Sequence, residues 1–156
     1  MKPKEFIEVV FINDLGEIAS KSPYISFAIM ATGIEFLGKC LDLKAEHWNV
    51  RGKSRINFEY AIENLEAFEK YRSYLLDYKL WDSLRNGFSH SFVPKKPLTL
   101  SSRNELGHLV LHSAPYRLNL RCEDFYVDFK NACLEVIEKE FEKGDKMNRE
   151  LLDVPE

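Results

Sequence analysis

From Glu5 to about Ala19, the apolar residues Ile7, Val10, Phe11, Leu15 and Ile18 recur at spacings of three and four, the stripe of an amphipathic helix. Ser20-Lys21-Ser22-Pro23 interrupts it. A second helix is expected from Pro23 to about Leu43, with Ser22 as N-cap and Pro23 at the first helical position. It is apolar nearly all round, which predicts the central, most buried helix. Lys44 to Lys53 carries mixed charges and reads as a connection. Ser54 is then expected to cap a third helix in which Phe58, Ala61, Ile62, Leu65 and Phe68 follow the same rule. A fourth begins near Tyr74, with Leu76, Leu80, Leu84 and Phe88 stepping by four along its buried side, and Asp82, Arg85 and Ser89 on another. It must end before Pro94, because the residue preceding a proline is pushed out of the helical region.

After Pro97 the period changes to two. Leu98 and Leu100, Leu109 and Leu111, and Leu118 and Leu120 alternate with other residues, predicting a small antiparallel hairpin or meander with turns at Ser102 to Gly107 and Ser113 to Pro115. Glu123 and Asp124 open a last helix whose Phe125, Phe129, Ala132, Cys133, Val136, Ile137 and Phe141 form a long stripe, stopped by Gly144. The expectation is a mainly α fold: one domain over residues 1–144, an up-and-down bundle of about five helices with a β insertion at about 98–121. Residues 145–156 are polar and expected to fray.

Composition narrows the function. A chain of 156 residues can bury a core without disulfides or metals. Its net charge of -3 rules out a polycation that coats nucleic acid, so any nucleic-acid role must be local. Cys40, Cys122 and Cys133 are odd in number and lack a Cys-x-x-Cys, which suits buried thiols in a reducing cytosol. The N-terminus has no cleavable apolar core, and the longest uncharged run, Ser22 to Ile34, is too short to span a bilayer, so a cytoplasmic protein without a membrane partner is expected. No two glycines are two apart, which excludes the phosphate loops of Rossmann and P-loop proteins. His108 and His112 would align on a helix, but the alternation of Leu109, Val110 and Leu111 predicts a strand there, and neither a metal nor a cofactor is expected.

The stretch that offers chemistry is Leu80 to Lys96. An always-cationic Arg85 and a titratable His90 are the pair needed to hold a phosphate and move protons around it, as in RNA cleavage without a metal. Asn86, four residues before His90, is placed to bond the imidazole or the phosphate. Ser89, Lys95 and Lys96 would attract the RNA backbone. On a regular α-helix, five positions are a rotation of about 140° and a rise of about 7.5 Å, so Arg85 and His90 point different ways in one chain. A distortion at Gly87, the reach of arginine, or a two-fold dimer that joins two copies of the helix closes that gap. The bland alternative is a structural pair bonding helix-end carbonyls and Asp82. The same spacing recurs from Arg103 to His108, in a predicted turn. Glu35, a carboxylate in an apolar helix, needs a partner, for which Arg85 and His90 are the candidates.

Leu84-Arg85-Asn86-Gly87-Phe88-Ser89-His90 resembles the Arg-x(4-6)-His signature of the HEPN superfamily, the higher eukaryotes and prokaryotes nucleotide-binding proteins, in which the arginine is often followed by Asn, Asp or His. The resemblance implies a bundle of four to five helices, homodimers, and in many members a metal-independent endoribonuclease serving toxin-antitoxin, phage-defence or RNA-processing systems. Arg85 and His90 would then be catalytic and Asn86 auxiliary. The partners to expect are a second copy, RNA, and an antitoxin-like or other protein. The other class of function open to the same fold is a non-catalytic module binding a protein, a nucleotide or RNA.

Overall fold

The computed structural model describes residues 1–43, 48, 51–103, 105–112, 116–139 and 146–151. The first helix, α1, is α-helical over Pro3–Phe6, widens to a π-helix over Ile7–Asp14 and closes as α-helix over Leu15–Ile18. Its predicted stripe buries Ile7, Phe11 and Leu15. Helix α2 spans Pro23–Leu41 and packs against α1, α3 and the last helix. It is long and apolar enough to cross a membrane by composition, yet ten of its nineteen residues, Glu35 among them, are buried inside the domain. The most apolar helix is thus the core helix, as its all-round pattern predicts.

Helix α3, Ser54–Asn64, begins at Ser54 itself, whose hydroxyl bonds Glu35 instead of capping the helix. The helix expected to continue through Phe68 breaks at Leu65, which is extended, and a 3₁₀ turn follows over Glu66–Tyr71. Remote groups hold this break. The Arg72 guanidinium donates to the carbonyls of Ile62 and Leu65, and the Glu135 carboxylate accepts the N–H groups of Glu66 and Ala67. The single fourth helix expected from Tyr74 is also two pieces: a short α4, Tyr74–Asp77, and α5, which is a π-helix over Trp81–Asn86 and α-helical over Gly87–Ser91. Lys79 sits between them with a φ of 47°. That left-handed residue resets the phase, so Leu80, Leu84 and Phe88 are buried as predicted while Leu76 is 74% exposed.

The β segment forms a three-stranded sheet from β1 (Leu98–Ser101), β2 (Val110–His112) and β3 (Arg117–Arg121), in the order β1-β3-β2. Only part of it is antiparallel. β2 pairs antiparallel to β3, but β1 runs parallel to β3 with Leu98 opposite Leu118. β3 inserts between the other two and is the central strand, so Asn119, which alternates with Leu118 and Leu120, is not left on an exposed face. Asn119 is fully buried, and its amide donates to Ser101 Oγ (2.7 Å) and the carbonyls of Leu106 and Gly107 while its Oδ1 accepts from Thr99. Helix α6, Cys122–Glu138, closes the domain on α2 and the 3₁₀ turn. The expected Phe141 and Gly144 lie outside the described residues. Within the stretch expected to fray, residues 146–151 lie against the domain: Met147 is buried, and Lys146 donates to the Asp42 carbonyl and sits over the Trp48 ring. The structure is therefore mainly helical with one small mixed sheet.

α2 and α3 touch at Gly38, where a side-chain carbon would run into the backbone carbonyl of Asn57. Helix propensity alone favours alanine at this position by about 1 kcal/mol, whereas forcing two backbones apart costs about 3 kcal/mol. Gly38→Ala is expected to destabilise the fold by about 2 kcal/mol net, read as a lower urea midpoint at unchanged slope; an unchanged midpoint would show that the helices separate freely.

Candidate active site

The α5 helix is not the regular α-helix of the sequence reading. In its π segment the hydrogen bonds close five residues apart, and the Gly87 N–H reaches the Asp82 carbonyl. A π turn brings residue i+5 closer to the face of residue i than an α turn does. Arg85 is five positions beyond the buried Leu80, and it is drawn towards the interior beside it, leaving its side chain 20% exposed. Gly87 serves close approach. A side-chain carbon there would meet the Val93 carbonyl at 2.7 Å and Pro94 Cα at 3.2 Å, because the chain leaving the helix folds straight back across it. Phe92, at a φ of 54°, makes the reversal, and the Lys95 N–H bonds the Ser83 carbonyl.

What Arg85 meets inside is Glu35, the buried carboxylate of α2. Arg85 Nε donates to Glu35 Oε2 at 2.6 Å, Ser54 Oγ donates to the same oxygen at 2.7 Å, and Lys39 Nζ lies 3.1 Å from Oε1. Trp81 Nε1 donates in turn to Ser54 Oγ at 3.3 Å. Burial pushes the Glu35 carboxyl up, but the Ser54 hydrogen bond, then Lys39, then Arg85 outweigh it and hold it below its ordinary value. Of the two partners expected for Glu35, the structure brings Arg85 to it.

The remaining candidates fall into separate groups. Ser89 accepts a hydrogen bond from Arg85 Nη1 at 3.2 Å, one turn along the same face. Asn86 donates to Asp82 Oδ1 at 2.8 Å, and Lys95 Nζ donates to the same oxygen at 2.6 Å; Lys95 and then Asn86 hold the Asp82 carboxyl below its ordinary range. His90 is exposed in the last turn of α5, and among the described residues its ring has no hydrogen-bond partner. Lys96 is exposed and lines a cavity with Asp77, Tyr78, Pro97 and Tyr116. The structure thus joins Arg85 to Glu35 and Ser89, and Asn86 to Asp82 and Lys95. It does not join Arg85 to His90 within one chain.

The second Arg-x-x-x-x-His copy leads elsewhere. Arg103 reaches the Ser20 carbonyl. His108 enters a buried network that the sequence reading missed. Its Nδ1 accepts the Arg121 N–H at 3.0 Å, so the ring proton sits on Nε2, which donates to the Tyr71 hydroxyl at 2.7 Å. Tyr71 donates to Asp128 Oδ2 at 2.5 Å, and Lys70 Nζ lies 2.8 Å from the same oxygen. Burial and then the Asp128 charge push the Tyr71 hydroxyl far up, out of the titratable range. Asp128 itself is pushed up by burial but held low by His108, Lys70 and Tyr71 together. With Tyr71 only 1% exposed, this network is a clamp from the sheet to α6 and the 3₁₀ turn and holds no open position for a substrate. The only signals for it in the sequence were a polar Tyr71 and Asp128 on otherwise apolar faces.

The three cysteines are buried and none is in a disulfide; burial and the Glu123 charge push Cys122 up to about 12, so it is not a nucleophile at neutral pH. Among the described residues no group of three or more His, Cys, Asp and Glu is placed to hold a metal ion.

Glu35 and Asp128 carry folded-state values below their ordinary 4.5 and 3.8, so the stability they contribute is complete above those values and is lost as pH falls through the lower, folded ones. Urea unfolding is expected to give a flat stability at neutral pH that declines below about pH 4.5. Glu35→Gln should start about 2 kcal/mol less stable at neutral pH and lose less than the wild type on acidification. An equal acid loss in that variant would mean Glu35 is not among the groups responsible.

No family model, curated protein or solved structure matches the chain, so its chemistry is read from its own residues.

Proposed function

We propose that the chain is a HEPN-like, metal-independent endoribonuclease, an up-and-down helical bundle that works as a cytoplasmic homodimer in a toxin, defence or RNA-processing role. The observation that carries this reading is the way Arg85 is held. Its Nε is fixed by a buried carboxylate and its Nη1 by Ser89, while among the described residues Nη2 has no partner. A guanidinium braced from behind, five residues from an exposed histidine, is prepared for charge growing on a phosphate, since no reorganisation is needed when the charge appears.

In the reaction, a ribose 2′-oxygen bonds to the adjacent phosphorus as its proton passes to a base. The bond from phosphorus to the 5′-oxygen breaks, and that oxygen takes a proton from an acid. The products are a 2′,3′-cyclic phosphate and a 5′-hydroxyl. Arg85 stabilises the phosphorane oxygens, His90 transfers a proton, and Asn86 assists at the phosphate. Because Arg85 turns inward and His90 outward, the pair is completed by a second copy across a two-fold axis. Supporting that arrangement, Tyr24 and Ile25 of α2 and Phe92 and Val93 after α5 are all exposed, and the Tyr24 hydroxyl bonds the Phe92 carbonyl, so apolar surface flanks His90. Ser89, Lys95 and Lys96 lie on the route of the RNA backbone; an antitoxin-like protein would act by covering it.

One observation favours the second reading, a non-catalytic module binding a protein, a nucleotide or RNA: Arg85 already uses two of its nitrogens inside the chain. The two readings separate in one assay. Wild type incubated with mixed-sequence RNA in EDTA is expected to leave 2′,3′-cyclic phosphate and 5′-hydroxyl ends. His90→Ala and Arg85→Ala, still folded and dimeric, should cleave at least about 100-fold more slowly. Undiminished cleavage in both variants would remove these residues from the mechanism, and no cleavage by the wild type would leave the binding module.

A further inference from the structure

The chain leaving α5 carries two lysines with different fates. Lys95 is held by Asp82, whereas Lys96 has no ion-pair partner among the described residues. Lys96 lines a cavity of about 400 Å³ with Asp77, Tyr78, Pro97 and Tyr116, a volume in the range of small-ligand sites. Its two sides are fixed relative to each other. The Pro97 carbonyl accepts the Leu118 N–H at 2.9 Å, which ties the Lys96-Pro97 strand entry to the residues just after Tyr116. Tyr78 is a half-buried wall, set against Tyr74 with ring centroids 5.7 Å apart. Tyr116 is a large aromatic left 76% exposed.

The lining selects its ligand by chemistry. An unpaired lysine attracts an anion, and an exposed tyrosine ring offers a face on which a planar ring stacks. Asp77 disfavours phosphate directly beside it, leaving Lys96 as the anion position, and accepts hydrogen bonds from N–H groups. A planar heterocycle with edge donors, joined to a phosphate, meets all three demands. In a duplex those faces are stacked and those edge donors are paired; in a single strand both are available.

We propose that this cavity is a binding site for one unpaired nucleotide of an RNA strand: base stacked on Tyr116 against the Tyr78 wall, base edge donating to Asp77, and a neighbouring phosphate on Lys96. It rests on the reading of the chain as a protein that acts on RNA. The β segment then has a role in substrate choice, because Tyr116 enters the site from the residue before β3.

The test is fluorescence anisotropy in EDTA with a short labelled single-stranded RNA and the same strand in a duplex, on a His90→Ala background that keeps the strand intact. Tyr116→Ala is expected to weaken single-strand binding about tenfold and leave duplex binding unchanged. Tyr116→Phe should retain the affinity, since the ring and not the hydroxyl stacks. Lys96→Ala should reduce the slope of log affinity against log salt by about 0.7. Single-strand affinity unchanged in Tyr116→Ala, or no RNA binding by the His90→Ala parent, overturns the proposal. Wild-type cleavage with Tyr116-independent binding would sink the pocket and leave the ribonuclease, whereas Tyr116-dependent binding without cleavage would do the reverse.

Discussion

The carboxylate of Glu35 is the constraint from which the rest of the site follows. It sits 6% exposed on the most apolar helix of the chain, and an ionised carboxylate there is untenable without charge and hydrogen-bond partners. Those partners come from three elements: Lys39 one turn along α2, Ser54 at the start of α3, and Arg85 in α5. Ser54 and Arg85 therefore fix the positions of α3 and α5 relative to α2. Such a cluster adds little net stability over an apolar one of the same shape, but breaking it leaves a buried charge, so its main effect is to exclude other arrangements of these helices.

The Tyr71–Asp128 cluster does the same for the sheet. Its three side chains belong to the 3₁₀ turn, the approach to β2, and α6, and its remaining lone pair at His108 Nδ1 is closed by a backbone N–H at the end of β3. A sheet of three short strands has little apolar area of its own. Buried Asn119 adds four further hydrogen bonds within the sheet and its connection, so the β segment is held by directional contacts at both ends. That rigidity lets the residue before β3 and the residues before β1 form opposite walls of one cavity.

The parts of this structure legible in the sequence were those set by local apolar period. The stripes of α1 and α6, the all-round apolar pattern of α2, the burial of Leu80, Leu84 and Phe88, and the demand of Glu35 for a partner all follow from the local pattern of apolar and charged residues. What was not legible depended on groups outside the repeating apolar positions. The break at Leu65 is held by Arg72 and Glu135, neither of which marks a helix end by itself. Leu76 fits the four-residue step perfectly and is exposed because Lys79 turns the chain between it and Leu80. Asn119 alternates with leucines as an outward residue should, yet the strand order puts it in the middle of a sheet with partners on both sides. Alternation gives the period of a strand and not its neighbours.

The same reasoning explains why Arg85 and His90, adjacent in a short motif, occupy different environments. The π turn and the pull of Glu35 rotate Arg85 inward, and the α-helical turn after Gly87 leaves His90 facing solvent. The bond that gives the guanidinium a fixed direction is thus the bond that keeps it from the histidine of its own chain. An arginine free to swing towards His90 would bridge that gap, but it would lose the fixed orientation that makes a cation effective against a transient charge. The proposed site assembled from two copies rests on that difference: it keeps the fixed orientation of Arg85 and draws the histidine from the other chain.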